Sequence, residues 1–207
     1  MYKRQIKARG EKIAGELAGS VVMGCGQFCT NPGLVIGIRS PEFSAFLESF
    51  TAKMAEQQPQ TMLNAGTLKS YVKGLEALNA HSGITHLTGA KQEGNQARPQ
   101  LFKADVSLLL GGDELLQEEV FGPTTIVVEV ADKAELLKAI NGLHGQLTAT
   151  LLTEPGDLAG SEELFALLEQ KVGRVLFNGY PTGVEVCDSM VHGGPYPCLL
   201  YTSDAAD

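Results

Sequence analysis

The segment Thr124-Thr125-Ile126-Val127-Val128-Glu129-Val130 is the clearest strand in this sequence of 207 residues. It is β-branched at nearly every position, and such side chains fit the pleated surface of a sheet. Leu34-Val35-Ile36-Gly37-Ile38 and Arg174-Val175-Leu176-Phe177-Asn178 are similar short runs, typical of buried strands. Segments with helical spacing separate these strands. The alternation predicts an α/β domain with a largely parallel sheet flanked by helices.

The helices are predicted from apolar residues that recur at steps of three and four. Ser40-Pro41-Glu42 is a helix start, because it combines an N-cap serine, a proline at the first position and an acid in the first turn. We expect this helix to run to residue 57. Further helices are predicted at 6–22, 67–80, 132–143 and 158–172, further strands at 84–88 and 146–153, and mixed strand and extended structure at 101–110.

The composition narrows the class of protein. The formal net charge is −8, and no basic cluster lies beyond the first ten residues, which argues against nucleic acid and anionic membranes as partners. No apolar run approaches the roughly 20 residues that a membrane helix needs. The four cysteines are too few for a disulfide framework and fit a reducing cytoplasm. No Cys or His pairs with ligand spacing occur, so no metal site is predicted.

Both ends of the chain differ from the rest. Residues 1–5 and 198–207 resemble translated adapter tails of assembled environmental reads, and we expect them to be foreign to the natural protein. The segment 6–197 is then expected to be an internal part of a longer chain. We find no internal repeat or second domain within it.

A cysteine with polar neighbours stands out in Gly24-Cys25-Gly26-Gln27-Phe28-Cys29-Thr30-Asn31-Pro32-Gly33. The glycines allow tight backbone geometry, and Pro32 stiffens the turn. A thiol on a stiff turn, with free backbone N–H groups beside it, suits a nucleophile that must stabilise an oxyanion.

Three segments in order resemble the aldehyde dehydrogenase superfamily over about residues 6–197. Gly26-Gln27-Phe28-Cys29 resembles its active-site cysteine motif, and Glu118-Glu119-Val120-Phe121-Gly122-Pro123 resembles its second motif. Residues 173–179 resemble the later strand that lines the substrate tunnel. The flanking residues, together with those at 177–184 and 192–197, look like the branch that includes 2-oxoglutarate semialdehyde (2,5-dioxopentanoate) dehydrogenases and a bacterial long-chain aldehyde dehydrogenase.

The resemblance implies the catalytic domain of this family and assigns roles to individual residues. Cys29 would be the nucleophile, forming a thiohemiacetal and then a thioester, and its backbone N–H would form half of the oxyanion hole. Glu119 would hydrogen-bond the ribose of the nicotinamide, with Phe121 packing near the ring. The cofactor would be NADP or NAD, the substrate a small aldehyde, and the longer protein a homo-oligomer.

Four further residues are candidates for substrate binding. Phe28, Phe177 and Val184 would line the tunnel, although each is equally plausible as a core residue. Asn178 ends a strand near the site, where a direct ligand role and the capping of a turn are about equally plausible. Cys25 matches no role in the family and is interpreted as a packing residue.

The resemblance also implies that essential parts lie outside this chain. The dinucleotide-binding half, the general-base glutamate and the asparagine that completes the oxyanion hole all precede the cysteine motif in the family. The position two residues before the Gly-Gln pair, commonly Asn in the family, is Gly24 here. We therefore expect the chain alone to be inactive.

Two alternatives from other classes stay open. One is a cysteine hydrolase or acyl transferase that uses Cys29 with His192 as the base, although no acidic residue that would orient His192 is readable from the spacing. The other is a non-catalytic α/β module.

Overall fold

Helices and strands alternate along most of the chain. The computed structural model describes residues 3–88, 92, 94–154, 160–183, 187–188, 190 and 192–195. Its elements are α1 (Lys3–Val22), β1 (Leu34–Ile38), α2 (Pro41–Ala55), α3 (Ala65–Ala80), β2 (Ile84–His86), β3 (Gln100–Ala104), α4 (Val106–Leu110), β4 (Thr124–Val130), α5 (Lys133–Gly142), β5 (Gln146–Leu151), α6 (Glu162–Lys171) and β6 (Val172–Phe177).

The described strands form two sheets. The first has the order β1-β4-β3-β2, in which β4 is parallel to both neighbours and β2 is antiparallel to β3. The second is the parallel pair β5-β6. The fold is therefore α/β with mostly parallel pairing, as the sequence predicts, but the strands divide between two sheets instead of one.

Apolar side chains of β4 belong to two separate cores, because successive residues of a strand point to opposite faces of the sheet. Ile126, Val128 and Val130 belong to a core that includes residues of α3, α5 and α6. Val127 belongs to a second core, with Ile13 and Leu17 of α1 and a row of phenylalanines on α2. Helices thus cover both faces of the first sheet, which explains why β4 is apolar on both sides.

Capping residues start several of the helices, and the predicted cap Ser40 is one of them. The Ser40 side chain accepts from the backbone N–H of Phe43 at 3.1 Å and begins α2. Asn64 and Asp132 cap α3 and α5 through the N–H groups of Thr67 and Glu135. Such caps satisfy donors that have no partner within the helix.

The structure corrects the prediction for residues 101–110. Only the first part is a strand, and α4 begins at Val106, because the extended backbone of Asp105 ends β3 and its carbonyl accepts from Leu108. Helix α1 begins at Lys3, within the stretch set aside as foreign, and has a break in helical geometry at Arg9. Residues 196–207 lie outside the described residues. Of the helices described, none is long and apolar enough to cross a bilayer.

Candidate active site

The cysteine turn follows α1 through three consecutive residues with positive φ. Gly24, Cys25 and Gly26 have φ of 55°, 60° and 65°. Glycine adopts this region without strain, whereas a cysteine does so at a cost. The reversal of direction places Gln27 at the start of the next turn. The Gln27 side chain accepts a hydrogen bond from the backbone N–H of Leu63 at 2.9 Å.

Cys29 lies in the middle of a turn that is tied down at both ends. The backbone N–H of Asn31 donates to the carbonyl of Phe28 at 2.9 Å and closes the turn. The buried Thr30 hydroxyl donates to the carbonyl of Pro181 at 3.0 Å. The Cys29 side chain is exposed, and within the described part of the chain its backbone N–H has no acceptor. This leaves a thiol and a free N–H donor on one fixed turn.

His192 meets this thiol. The Nε2 atom of His192 lies 3.3 Å from Sγ of Cys29, and the two residues are 163 positions apart in the sequence. An imidazole at this distance can take the proton of the thiol, which is one way in which cysteine nucleophiles are activated. Among the residues that the structure describes, no carboxylate contacts the ring of His192.

The second motif packs directly against the cysteine turn. A Cβ on Gly26 would lie 2.3 Å from the carbonyl carbon of Gly122, so the two backbones touch. Gly122 has a φ of 154°, and a Cβ there would lie 2.3 Å from the ring of Tyr71. Tyr71 is fixed in turn, because its hydroxyl donates to the carbonyl of Arg98 at 2.7 Å. Only glycine fits at these two positions, and their contact holds residues 118–123 beside Cys29.

A cavity of about 660 Å³ contains both motifs, with Cys29, Glu119 and Phe121 among its lining residues. Phe121 is 36% exposed, an unusual state for a large apolar ring. The Glu119 side chain is open to the cavity, yet partial desolvation raises its pKa above the usual 4.5. A carboxylate and an aromatic face beside a thiol can accept hydroxyl donors and pack against a planar ring.

The proposed substrate residues lie in different surroundings. Phe28 is 37% exposed, and its ring covers Gly24. Phe177 is 42% exposed and stacks on Phe165 of α6 at 5.1 Å. It does not line the cavity, although its partner in the sheet, Leu151, does. Val184 lies outside the described residues.

Asn178 is held in a turn by its side chain. It has a φ of 51°, and its Oδ1 accepts from the N–H of Thr153 at 3.0 Å and from Arg9 at 3.3 Å. This arrangement agrees with the capping interpretation of Asn178, and the direct ligand role stays a prediction.

Hydrogen bonds hold the loop after β6 against α1. Tyr180 donates to Glu16 at 3.2 Å, and the buried hydroxyls of Ser20 and Thr182 share a hydrogen bond of 2.8 Å. Burial, and then the neighbouring Glu16, raise the pKa of Tyr180. These contacts place Pro181 where its carbonyl can hold Thr30, and they connect β6 to the cysteine turn.

Cys25 is a core residue. It is 3% exposed, its thiol donates to the carbonyl of Gln60 at 3.6 Å, and burial raises its pKa. A buried thiol with a raised pKa is a poor nucleophile. Cys25 and Cys29 therefore have opposite environments, although only three residues separate them.

The sequence suggests His192 only as the base of an alternative hydrolase, and it suggests no contact between Asn31 and the second motif. His192 contacts Cys29, and the side chain of Asn31 donates to the carbonyl of Gly122 at 3.1 Å. The signal for His192 was its position before Gly193 and Gly194, since small residues permit close approach of a loop. No periodic pattern pointed to Asn31.

The chain is similar to known proteins over nearly its whole length. The model of the aldehyde dehydrogenase family matches residues 7–195. Over 202 residues the chain is 52% identical to an alpha-ketoglutaric semialdehyde dehydrogenase of Acinetobacter baylyi, covering 97% of this chain and 38% of that protein. Over 199 residues it is 38% identical to alpha-ketoglutaric semialdehyde dehydrogenase 2 of Azospirillum brasilense, covering 95% of this chain and 38% of that protein. The chain thus spans about two fifths of the length of these relatives.

Solved structures share the fold at lower identity. Aldehyde dehydrogenase 21 of Physcomitrella patens, in complex with the reaction product succinate, superposes with a TM-score of 0.70 at 22% identity, over 88% of this chain and 38% of that chain. Glyceraldehyde-3-phosphate dehydrogenase of Methanocaldococcus jannaschii, complexed with NADP, superposes with a TM-score of 0.69 at 20% identity, over 87% of this chain and 39% of that chain.

Proposed function

The chain belongs to the aldehyde dehydrogenase family, and from this membership we propose that Cys29 is the nucleophile in an NAD(P)-dependent oxidation of an aldehyde to a carboxylic acid. The observation that supports the proposal is that Cys29 and Glu119 line the same cavity, as the nucleophile and the ribose-binding carboxylate of one site would. We further propose that residues 6–197 form the catalytic domain of a longer enzyme.

The reaction begins with the thiol. His192 takes the proton of Cys29, and the thiolate adds to the aldehyde carbon to form a thiohemiacetal. The backbone N–H of Cys29 donates to the oxygen that becomes negative in this step. Loss of a hydride from the same carbon leaves a thioester, and water hydrolyses it to the acid and returns the thiol.

The residues present fit a nicotinamide cofactor. The chemistry that NAD or NADP supplies when bound is acceptance of the hydride from the substrate carbon. Glu119 would hold it, because its carboxylate can accept hydrogen bonds from ribose hydroxyls and makes none with described residues. The exposed face of Phe121 would pack against the bound ring.

The proposal leaves some roles to the rest of the longer enzyme. The dinucleotide-binding half, the general base that activates water and the second donor of the oxyanion hole would lie outside this chain. The absence of a general base or of one oxyanion donor should each cost about 10²–10⁴-fold in rate. The isolated chain is therefore expected to react at Cys29 but not to turn over at a normal rate.

The proposed substrate is a semialdehyde that also carries a carboxylate, such as 2-oxoglutarate semialdehyde. Its support is that two relatives, at 52% and 38% identity, are named alpha-ketoglutaric semialdehyde dehydrogenases. We also propose a cytoplasmic location, since free thiols are kept reduced in the cytosol, and a homo-oligomeric state, which rests on the resemblance to the family alone. The test is nucleotide reduction by the longer enzyme with this semialdehyde, compared with succinic semialdehyde and with a neutral aldehyde of similar length. A preference for the neutral aldehyde would reject the substrate class.

A cysteine hydrolase is the second candidate, because the contact of 3.3 Å between Cys29 and His192 favours it. An activated ester added without nucleotide separates the two functions. A hydrolase would turn over many ester molecules per second without nucleotide. A dehydrogenase would hydrolyse the ester slowly and would need a nucleotide for its main reaction with an aldehyde.

A further inference from the structure

Asn31 connects the two loops that line the cavity. Its backbone N–H closes the turn that carries Cys29, and its Nδ2 donates to the carbonyl of Gly122 at 3.1 Å. Gly122 directly follows Phe121 in the second motif. A single residue is therefore joined both to the turn of the nucleophile and to the segment of Glu119 and Phe121.

The amide of Asn31 has only one favourable orientation. Its Oδ1 is buried and has no hydrogen-bond partner among the residues that the structure describes. Reversing the amide would place this oxygen against the carbonyl oxygen of Gly122, so that two acceptors would face each other. An unpaired buried acceptor is unfavourable for folding, and packing alone would be better served by an apolar side chain. The amide is therefore present for its N–H donor.

We propose that Asn31 is a positioning residue that sets the placement of Cys29 relative to Glu119 and Phe121. The inference rests on the proposed function, in which Cys29 holds the aldehyde and the other two residues hold the nicotinamide. Transfer of a hydride requires that the turn of Cys29 and the segment of Glu119 and Phe121 keep their positions relative to each other. Hydrolysis of an activated ester needs only the turn of Cys29, which Thr30 still anchors to Pro181.

This difference provides a test in the longer enzyme. Asn31→Ala removes the hydrogen bond to Gly122 but leaves the contact between Gly26 and Gly122 in place. We expect kcat for aldehyde oxidation to fall about 10- to 100-fold, because a misplacement near 1 Å costs this much. Ester hydrolysis without nucleotide should change less than about threefold, since its reacting groups keep their positions.

Two more variants test the role of the N–H donor and control for the loss of an amide elsewhere. Asn31→Asp keeps the shape but turns an oxygen towards the carbonyl of Gly122, so it should lose as much oxidation as Asn31→Ala. A residue that only fills space would leave Asn31→Asp close to wild type. Asn64→Ala is the matched control, because it removes an amide that caps α3 through Thr67 N–H at 2.9 Å, outside the cavity. It should leave the ratio of the two activities unchanged.

The outcomes separate the two proposals. Equal losses of oxidation and ester hydrolysis in Asn31→Ala would overturn the positioning role, as would unchanged oxidation or an Asn31→Asp variant with wild-type activity. Absence of nucleotide reduction in the wild-type enzyme would overturn the proposed function itself, and with it the inference. Loss of oxidation alone, together with an unchanged ratio in Asn64→Ala, is the result we expect.

Discussion

The Sγ atom of Cys29 and the Nε2 atom of His192 lie 3.3 Å apart. Their contact joins the turn after α1 to a loop near the end of the described chain. It places a proton acceptor beside the thiol within this chain, a pairing that the sequence suggested only for the alternative cysteine hydrolase.

Replacing His192 should therefore slow the reaction of the thiol. We expect His192→Ala to lower the rate of Cys29 alkylation by iodoacetamide at pH 7 about tenfold, because the imidazole no longer stabilises the thiolate. The rate can be measured by mass spectrometry of the peptide that contains Cys29. His81→Gln is the control, since His81 pairs with Asp113 at the end of α3. Equal rates in wild type and His192→Ala would contradict the activation of Cys29 by His192.

The cysteines should differ sharply in reactivity. Cys29 is exposed beside an imidazole, whereas Cys25 is 3% exposed and has a raised pKa. Under limiting reagent, the native chain should be labelled at Cys29 at least about ten times faster than at Cys25, and the difference should vanish in urea. Slow and equal labelling of all cysteines in the native protein would favour a non-catalytic module.

The contact between Gly26 and Gly122 should tolerate no side chain. Gly26→Ala would place a methyl group 2.3 Å from the Gly122 carbonyl carbon, at a φ of 65°. Overpacking of this kind lowers the free energy of unfolding by about 1–3 kcal/mol. Urea denaturation followed by circular dichroism measures the change.

Gly19→Ala is the matched control for this variant. Nothing lies within 4 Å of a Cβ at this exposed position of α1, and the substitution should stabilise the helix by about 0.5–1 kcal/mol. Similar stabilities for Gly26→Ala and Gly19→Ala would contradict the close packing of the two loops.

The stability of the protein should depend on pH through Glu119. Desolvation raises the pKa of this carboxyl in the folded protein above the usual 4.5. The folded state then binds the proton more tightly than the unfolded state, so the stabilisation is complete below about pH 4.5 and is lost as the pH rises through the folded pKa. Because the side chain is partly exposed, the effect should be small.

Glu119→Gln removes this titration. Its free energy of unfolding relative to wild type should increase from pH 4.5 upwards and then level off, as measured by urea denaturation at a series of pH values. Glu118→Gln controls for the loss of one negative charge from the same loop. A relative stability of Glu119→Gln that does not change with pH would contradict the desolvation of Glu119.

The regular elements could be predicted because their signals are local. β4 is β-branched at nearly every position, and Ser40 caps α2, so both lie where the sequence indicates. The division of the strands into two sheets could not be predicted, because it depends on which edges meet. The helix α4 was missed since it is short and apolar, and a run of this length fits either a strand or a helix.

The candidate site was predictable where motifs are contiguous and not where it depends on distant contacts. Cys29 and Glu119 stand in recognisable segments, and both line one cavity. The contacts of His192 with Cys29 and of Asn31 with Gly122 join residues 163 and 91 positions apart, and no spacing rule reports such pairs.

The central claim is that Cys29 forms a covalent intermediate during oxidation of an aldehyde by NAD(P). The most direct measurement combines nucleotide reduction at 340 nm with mass spectrometry of the Cys29 peptide, using the longer enzyme and 2-oxoglutarate semialdehyde. We predict aldehyde-dependent formation of NAD(P)H, an acyl group on Cys29 after rapid acid quench, and loss of both in Cys29→Ala. Nucleotide reduction that persists in Cys29→Ala, or an acyl group on another residue, would contradict the claim.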